Sequence, residues 1–82
     1  MDLDEVIQEM DDAVDDSSVP GRIRKALEKI STDLKEDNPD TAVKITTAIY
    51  ELEAVVDDIN IPMHAKTILW DLISNMESIR EE

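Results

Sequence analysis

The residues best equipped for chemistry lie in one stretch, Asp57-Asp58-Ile59-Asn60-Ile61-Pro62-Met63-His64-Ala65-Lys66-Thr67-Ile68-Leu69-Trp70, which holds the only His and the only Trp of the chain. An imidazole is the one side chain whose ordinary pKa lets it exchange a proton near neutral pH. In a helix starting near Ile61, steps of three and four residues place His64, Thr67 and Asp71 on one face. Asp57 and Asp58 stand just ahead of them. Such a His–Asp arrangement could serve as a general base or hold a divalent cation. It lacks company, because the chain has no Cys, no second His and no Gly-rich loop. A working site needs a nucleophile, a base and a charge stabiliser together. The weightier reading is a partly exposed His64 in the first turn of a helix, paired with Asp57 or Asp58.

Hard-cation binding has a second candidate in Asp11, Asp12, Asp15 and Asp16. Helical spacing puts Asp12 beside Asp15 or Asp16. The spacing is not that of an EF-hand loop, which alternates its ligands, turns at a central Gly and ends in Glu. Weak, water-mediated binding of Mg²⁺ or Ca²⁺ is the most it supports, and no dedicated metal or cofactor site is expected. Trp70 and Tyr50 are candidates of another kind. Aromatic side chains are enriched among the anchors of protein interfaces. Trp70 is expected to pack in the core or at the edge of the fold, with an exposed anchor as the alternative. Tyr50, His64 and Trp70 are the candidate partner-binding residues.

The composition narrows the partners. The 82 residues carry a formal net charge of −13. Phosphate neutralisation needs clustered Lys and Arg, so nucleic acid is not an expected ligand. Anionic membrane surfaces are disfavoured on the same ground. A basic protein is the favoured class of partner. An acidic surface can also imitate nucleic acid and occupy a protein that binds it. The absence of Cys excludes disulfides and thiol chemistry. No apolar run approaches the roughly 20 residues of a membrane span, and the acidic start Met1-Asp2-Leu3-Asp4-Glu5 is unlike a signal peptide. A cytoplasmic protein is expected.

Four helices must position these residues. In the first, over 2–15, Asp2 and Glu5 have the spacing of a capping box. Leu3, Ile7, Met10 and Val14 form an inner face, widened by Val6 and Ala13. Its terminal acids Asp12, Asp15 and Asp16 need cations, and Arg22, Arg24 and Lys25 are the nearest in sequence. Ser18 is the expected cap of a second helix that runs to about Lys35, with Pro20 in its first turn. That helix turns Ile23, Ala26, Leu27, Ile30 and Leu34 inward. Asn38 and Pro39 open a third helix over 39–57. Its seam is Ile45, Ile49, Leu52, Val56 and Ile59, flanked by Ala48 and Val55, with Tyr50 at the edge. Asn60 caps a fourth, with Pro62 in its first turn. This helix carries Ala65, Leu69, Leu72, Met76 and Ile79, with Ile68 and Ile73 alongside, and ends in Glu81 and Glu82, expected to fray.

The chain repeats itself at an offset of 42 residues. Asp15-Asp16-Ser17-Ser18-Val19-Pro20 matches Asp57-Asp58-Ile59-Asn60-Ile61-Pro62, and Arg24 and Leu27 match Lys66 and Leu69. Ile7, Met10 and Val14 match Ile49, Leu52 and Val56 at the same offset, so each copy is a two-helix hairpin. Arg22 aligns with His64, which gives the two a shared electrostatic role. A period near 40 residues with two helices is that of HEAT-like units. Two units are fewer than a solenoid usually needs. The expected fold is a single all-α domain over 1–82, a closed four-helix bundle of two similar hairpins, with a HEAT-like pair as the alternative.

The motifs Asp16-Ser17-Ser18-Val19-Pro20 with Arg24, Ala48-Ile49-Tyr50-Glu51-Leu52-Glu53, and Ile61-Pro62-Met63-His64-Ala65-Lys66-Thr67 with Trp70 resemble those of a short, acidic, uncharacterised archaeal protein family. The resemblance covers nearly the whole chain. It implies an all-helical domain in an archaeal cytoplasm and no assigned activity, so it supplies no catalytic residues. The combined expectation is a non-enzymatic module for protein–protein interaction or assembly. Self-association is a second form of it, because a small core gains from a partner copy. Val55, Ile59, Ile68 and Ile73 are the apolar residues expected to be free for a homodimer. The alternatives are a cation-binding or catalytic domain built on His64 with Asp57 and Asp58, and a nucleic-acid mimic.

Overall fold

The chain enters its first helix where Asp2 accepts a hydrogen bond from the backbone N–H of Glu5 at 2.9 Å. That bond satisfies one of the four N–H groups a helix start leaves without partners. The computed structural model describes residues 2–36, 40–58 and 60–81. Four helices follow in order: α1 (Leu3–Val14), α2 (Gly21–Lys35), α3 (Thr41–Val56) and α4 (Met63–Glu81). The expected cap Asn38, its neighbour Pro39, the seam residue Ile59 and the terminal Glu82 lie outside the described residues.

Two helix starts differ from expectation. Ser18 does not cap α2. Pro20 stands in the cap position, and its carbonyl accepts the N–H groups of Ile23 and Arg24 at 3.0 Å. Pro62 stands immediately before α4 in the same way, and its carbonyl accepts the N–H of Lys66 at 3.1 Å. A Pro there holds φ near the helical value and has no N–H to lose. The side chains of Ser18 and Asn60 are thereby released from capping. Helix α3 starts at Thr41, with the Asp40 carboxylate accepting from Val43 N–H at 3.1 Å. At the other end of the chain α4 continues to Glu81, one of the residues expected to fray.

The helices close into a ring. α1 packs on α2 and α4, α3 packs on α2 and α4, and no diagonal pair makes contact among the described residues. The packing of α1 on α4 decides between the two expected architectures, since a linear stack leaves its first and last helices apart. The result is a closed four-helix bundle of two hairpins, about 35 by 20 by 19 Å. Met10, Leu27, Leu52, Leu69, Leu72 and Met76 form its fully buried centre. Met10 and Leu52 are equivalent in the repeat, as are Leu27 and Leu69, so the core inherits the internal symmetry of the sequence.

Two inner faces are rotated from their predicted centres. On α1 the buried residues are Val6, Met10 and Ala13, with Leu3, Ile7 and Val14 only partly buried at the flank. On α4, Ile73 lies in the core and Ile79 at its margin. Each helix packs against two neighbours, so its buried centre falls between them. Of the residues expected to be free for a homodimer, the three described are buried to different degrees. Ile73 is in the core, and Val55 and Ile68 pack against it. Among the described residues no helix is long and apolar enough to cross a membrane.

Candidate functional site

The two repeated turns meet at one end of the bundle, and each hairpin reaches for the other. Arg22, at the start of α2, pairs with Asp58 in the turn before α4. His64, at the start of α4, reaches back to the turn before α2, with Nε2 2.9 Å from Ser18 Oγ and 3.7 Å from Asp16 Oδ2. Arg22 and His64 are equivalent in the repeat, and so are Asp16 and Asp58. The clasp is therefore reciprocal. Each aspartate first secures its own turn: Asp16 Oδ1 accepts the N–H of Ser18 at 2.9 Å, and Asp58 Oδ1 accepts that of Asn60 at 2.9 Å. His64 takes the place in the clasp equivalent to that of Arg22, and the aspartate it faces is Asp16 of the opposite hairpin. The expected pairing with Asp57 or Asp58 is not formed.

Ser18, His64 and Asp16 are the residue types of a hydrolytic triad, yet the arrangement is different. Ser18 Oγ donates to Asp16 Oδ1 at 2.6 Å, so His64 Nε2–H is left to donate to Ser18. In a triad the carboxylate holds the far nitrogen, Nδ1, and the near nitrogen takes the serine proton. Here the carboxylate and the hydroxyl both face Nε2, and all three groups are at the surface. Asp16 is held below the usual aspartate range, first by the Ser18 hydroxyl and then by the Ser18 N–H. Asp58 is lowered as well, first by Arg22 and then by the N–H of Asn60. Thr67 donates its hydroxyl to the carbonyl of Met63 at 3.1 Å.

The acids of α1 are spread over different partners. Asp11 accepts from the buried Ser31 hydroxyl at 2.6 Å and from Lys35 at 2.9 Å. Its carboxyl is lowered first by Ser31 and then by Lys35. Asp12 accepts from the Gln8 amide. Of the acids for which Arg22, Arg24 and Lys25 were the nearest cations in sequence, Asp16 instead faces His64 and Asp12 faces Gln8, while Lys35 pairs with Asp11. Among the described residues no three His, Asp or Glu side chains converge where a metal ion could be held.

Among the described residues, the large apolar side chains that stand exposed all lie in the second hairpin. Val43 is 54% exposed, Tyr50 66%, Met63 76% and Trp70 52%. Trp70 is thus an edge residue with half its surface in water. Val43 and Tyr50 are two helical turns apart on α3, as are Met63 and Trp70 on α4. On α3 the residues facing α2 are Lys44 and Glu51, and Tyr50 lies about 100° round from Glu51, away from α2. On α4, Asn75 reaches Glu9 of α1 at 3.0 Å, and Trp70 lies about 140° round from it. Trp70 is therefore turned away from α1, and Tyr50 lies on the outer face of α3 with Val43, Thr46 and Thr47. Tyr50 precedes Asp57 by seven residues and Trp70 follows Met63 by seven, so the two stand at about the same height. In the first hairpin the equivalent positions of Tyr50, Met63 and Trp70 hold Gln8, Gly21 and Glu28.

A cleft of about 190 Å³ opens between α2 and α3, lined by Ile30, Leu34, Val43, Thr47 and Ala48 with Asp33, Glu36, Lys44 and Glu51. Lys44 Nζ donates to the carbonyls of Leu34 and Glu36 at 3.0 and 2.9 Å, which closes off the end of α2. Lys29 Nζ lies 3.0 Å from Asp33 and 3.5 Å from Glu51. Those two carboxylates raise its pKa, Asp33 the more.

Comparison with known proteins places this geometry in a family. The model of the uncharacterised protein family UPF0147 matches residues 1–79. The chain belongs to UPF0147. A UPF0147 protein of Methanothermobacter thermautotrophicus is 41% identical over 68 residues, which cover 83% of this chain and 67% of that protein. One from Thermococcus kodakarensis is 34% identical, covering 95% of this chain and all of the relative. The crystal structure of a UPF0147 protein from Thermoplasma acidophilum matches with a TM-score of 0.88 at 27% identity, over 94% of this chain and 91% of that one. The sequence motifs therefore point to the right family, an archaeal one.

Within this UPF0147 chain, reasoning from sequence singles out Tyr50, His64 and Trp70. The structure leaves Tyr50 and Trp70 exposed on the second hairpin and places His64 in the clasp. It adds Val43, Met63 and the α2–α3 cleft, none of which was anticipated. For Met63 a signal was available: it is one of the positions where the second repeat turns apolar while the first does not. The cleft had none, since it depends on how α2 and α3 pack.

Proposed function

We propose that this UPF0147 protein is an interaction module that docks a basic protein on the α3–α4 face, with Trp70 and Tyr50 as its anchors. One observation carries the reading. The two hairpins share their core positions, yet Trp70 stands where the first repeat has Glu28, and Tyr50 where it has Gln8. At these two positions the repeats differ on the surface, where neither ring fills the core. Half-exposed aromatic rings bury large areas at little entropic cost when a partner covers them. Glu53 and Glu77 belong to the same two helices and Asp57 follows α3, with Lys44, Lys66 and Arg80 among them, and the chain as a whole carries −13. A second copy would bring the same charge to the face, whereas a basic partner meets it with the opposite one. That favours a heterologous partner over a homodimer.

The test is affinity capture from extract of the source cells, with the wild-type chain beside Trp70→Ala and Glu28→Ala. These are the two equivalent positions of the repeat, so each variant controls for the other. Trp70→Ala should weaken capture of a specific protein by more than about tenfold while helix content stays unchanged. Glu28→Ala should leave capture intact.

A further inference from the structure

The apolar face does not end at Tyr50. Val43 and Thr47, which line the α2–α3 cleft, also line a shallow depression that contains Tyr50. The surface therefore runs without a break across α3, from Tyr50 on one side to the cleft on the other. The cleft has an apolar floor of Ile30, Leu34 and Ala48, and its rim carries Asp33, Glu36 and Glu51. It also sits at the C-terminal end of α2, where the aligned peptide dipoles present negative charge. The chain's own lysines show what these oxygens hold. Lys44 has placed its ammonium on the last carbonyls of α2, and Lys29 has placed its own between Asp33 and Glu51. The Glu36 carboxylate has no partner among the described residues.

We infer that the α2–α3 cleft receives a lysine or arginine side chain of the docked partner. Such a side chain has an aliphatic stem and a cationic head. The stem lies along Ile30, Leu34 and Ala48, and the head joins Glu36 and the free oxygens of Asp33 and Glu51. The inference rests on the proposed interaction role and adds its chemistry: the partner segment crosses α3 with an apolar residue at Trp70 and Tyr50 and a basic one in the cleft.

The test uses the full chain labelled with ¹⁵N, titrated with butylguanidinium chloride as a mimic of the arginine side chain. 1-Pentanol and sodium chloride serve as parallel controls. The expected result is a saturable set of amide shifts within 33–36 and 43–51, absent with both controls. Glu51→Gln and, separately, Glu36→Gln should each weaken it by about two- to fivefold, with dispersed spectra showing that the fold is kept. Three results would overturn the inference: shifts reproduced by sodium chloride, shifts centred on the acids of α1, or full affinity in both variants. Equal binding of pentanol would do the same, since it would reduce the cleft to an apolar dent. Trp70→Ala should leave this titration unchanged. Loss of the guanidinium shifts with Trp70-dependent capture intact removes the cleft alone. Retained shifts without such capture remove the interaction reading and leave a cation-binding cleft.

Discussion

Arg22 and Asp58 make the sharpest prediction at the scale of single residues. The Asp58 carboxyl lies below its ordinary value of 3.8, chiefly because Arg22 donates to it. A carboxylate lowered by folding stabilises the native state above the unfolded pKa, and that contribution disappears as pH falls through the folded value. Arg22→Ala should therefore lower the urea midpoint at about pH 7, and the difference should shrink as pH falls below the ordinary aspartate range through the folded pKa of Asp58. The effect is modest, because both groups are in contact with water. An undiminished difference at acid pH would assign Arg22 a packing role. Asp16 follows the same rule with Ser18 as its main donor, and so does Asp11 with Ser31. Some of this was legible in the sequence. The repeat aligned Arg22 with His64, and the two take equivalent places in the clasp. Their partners were not legible, because Ser18 and His64 are 46 positions apart and meet only once α1 packs on α4.

At the scale of the elements, helix starts and core stripes behave differently. Asp2→Ala should cost about 1 kcal/mol by removing the α1 cap. Ser18→Ala should leave the helix content of α2 intact and loosen the clasp instead, because Pro20 holds the start of that helix. Amide exchange at the beginning of α2, compared with that around His64, separates the two roles. Leu52 is fully buried on α3 and Met10 fully buried on α1 at the equivalent position. Either one replaced by Ala should lose about 2–5 kcal/mol in denaturant unfolding. A cost well under 1 kcal/mol at either would mean that the repeat is not carried into the core. Helical periodicity revealed the number of helices, their approximate limits and most of these core positions. It misplaced the centre of α1 because Leu3, Ile7 and Val14 and the neighbouring Val6, Met10 and Ala13 make one broad apolar band. Which part of that band is deepest depends on the angle between α2 and α4, and local spacing carries no record of it.

At the scale of the molecule, the two hairpins close a symmetric core and differ on the outside. The clasp of Arg22 with Asp58 and of His64 with Asp16 ties the hairpins together at one end. The exposed large apolar side chains among the described residues, Val43, Tyr50, Met63 and Trp70, gather on the second hairpin. Salt should act on the partner in a mixed way. Exposed charges are screened over a Debye length of about 10 Å near 0.1 M, while the apolar contact is not. Binding should therefore weaken with salt without being lost. The most direct measurement is the capture comparison between the two equivalent repeat positions, read at low and at high salt. The account predicts a specific basic protein held by the wild type and by Glu28→Ala and lost by folded Trp70→Ala. Equal capture by all three, or loss in Glu28→Ala alone, would contradict it.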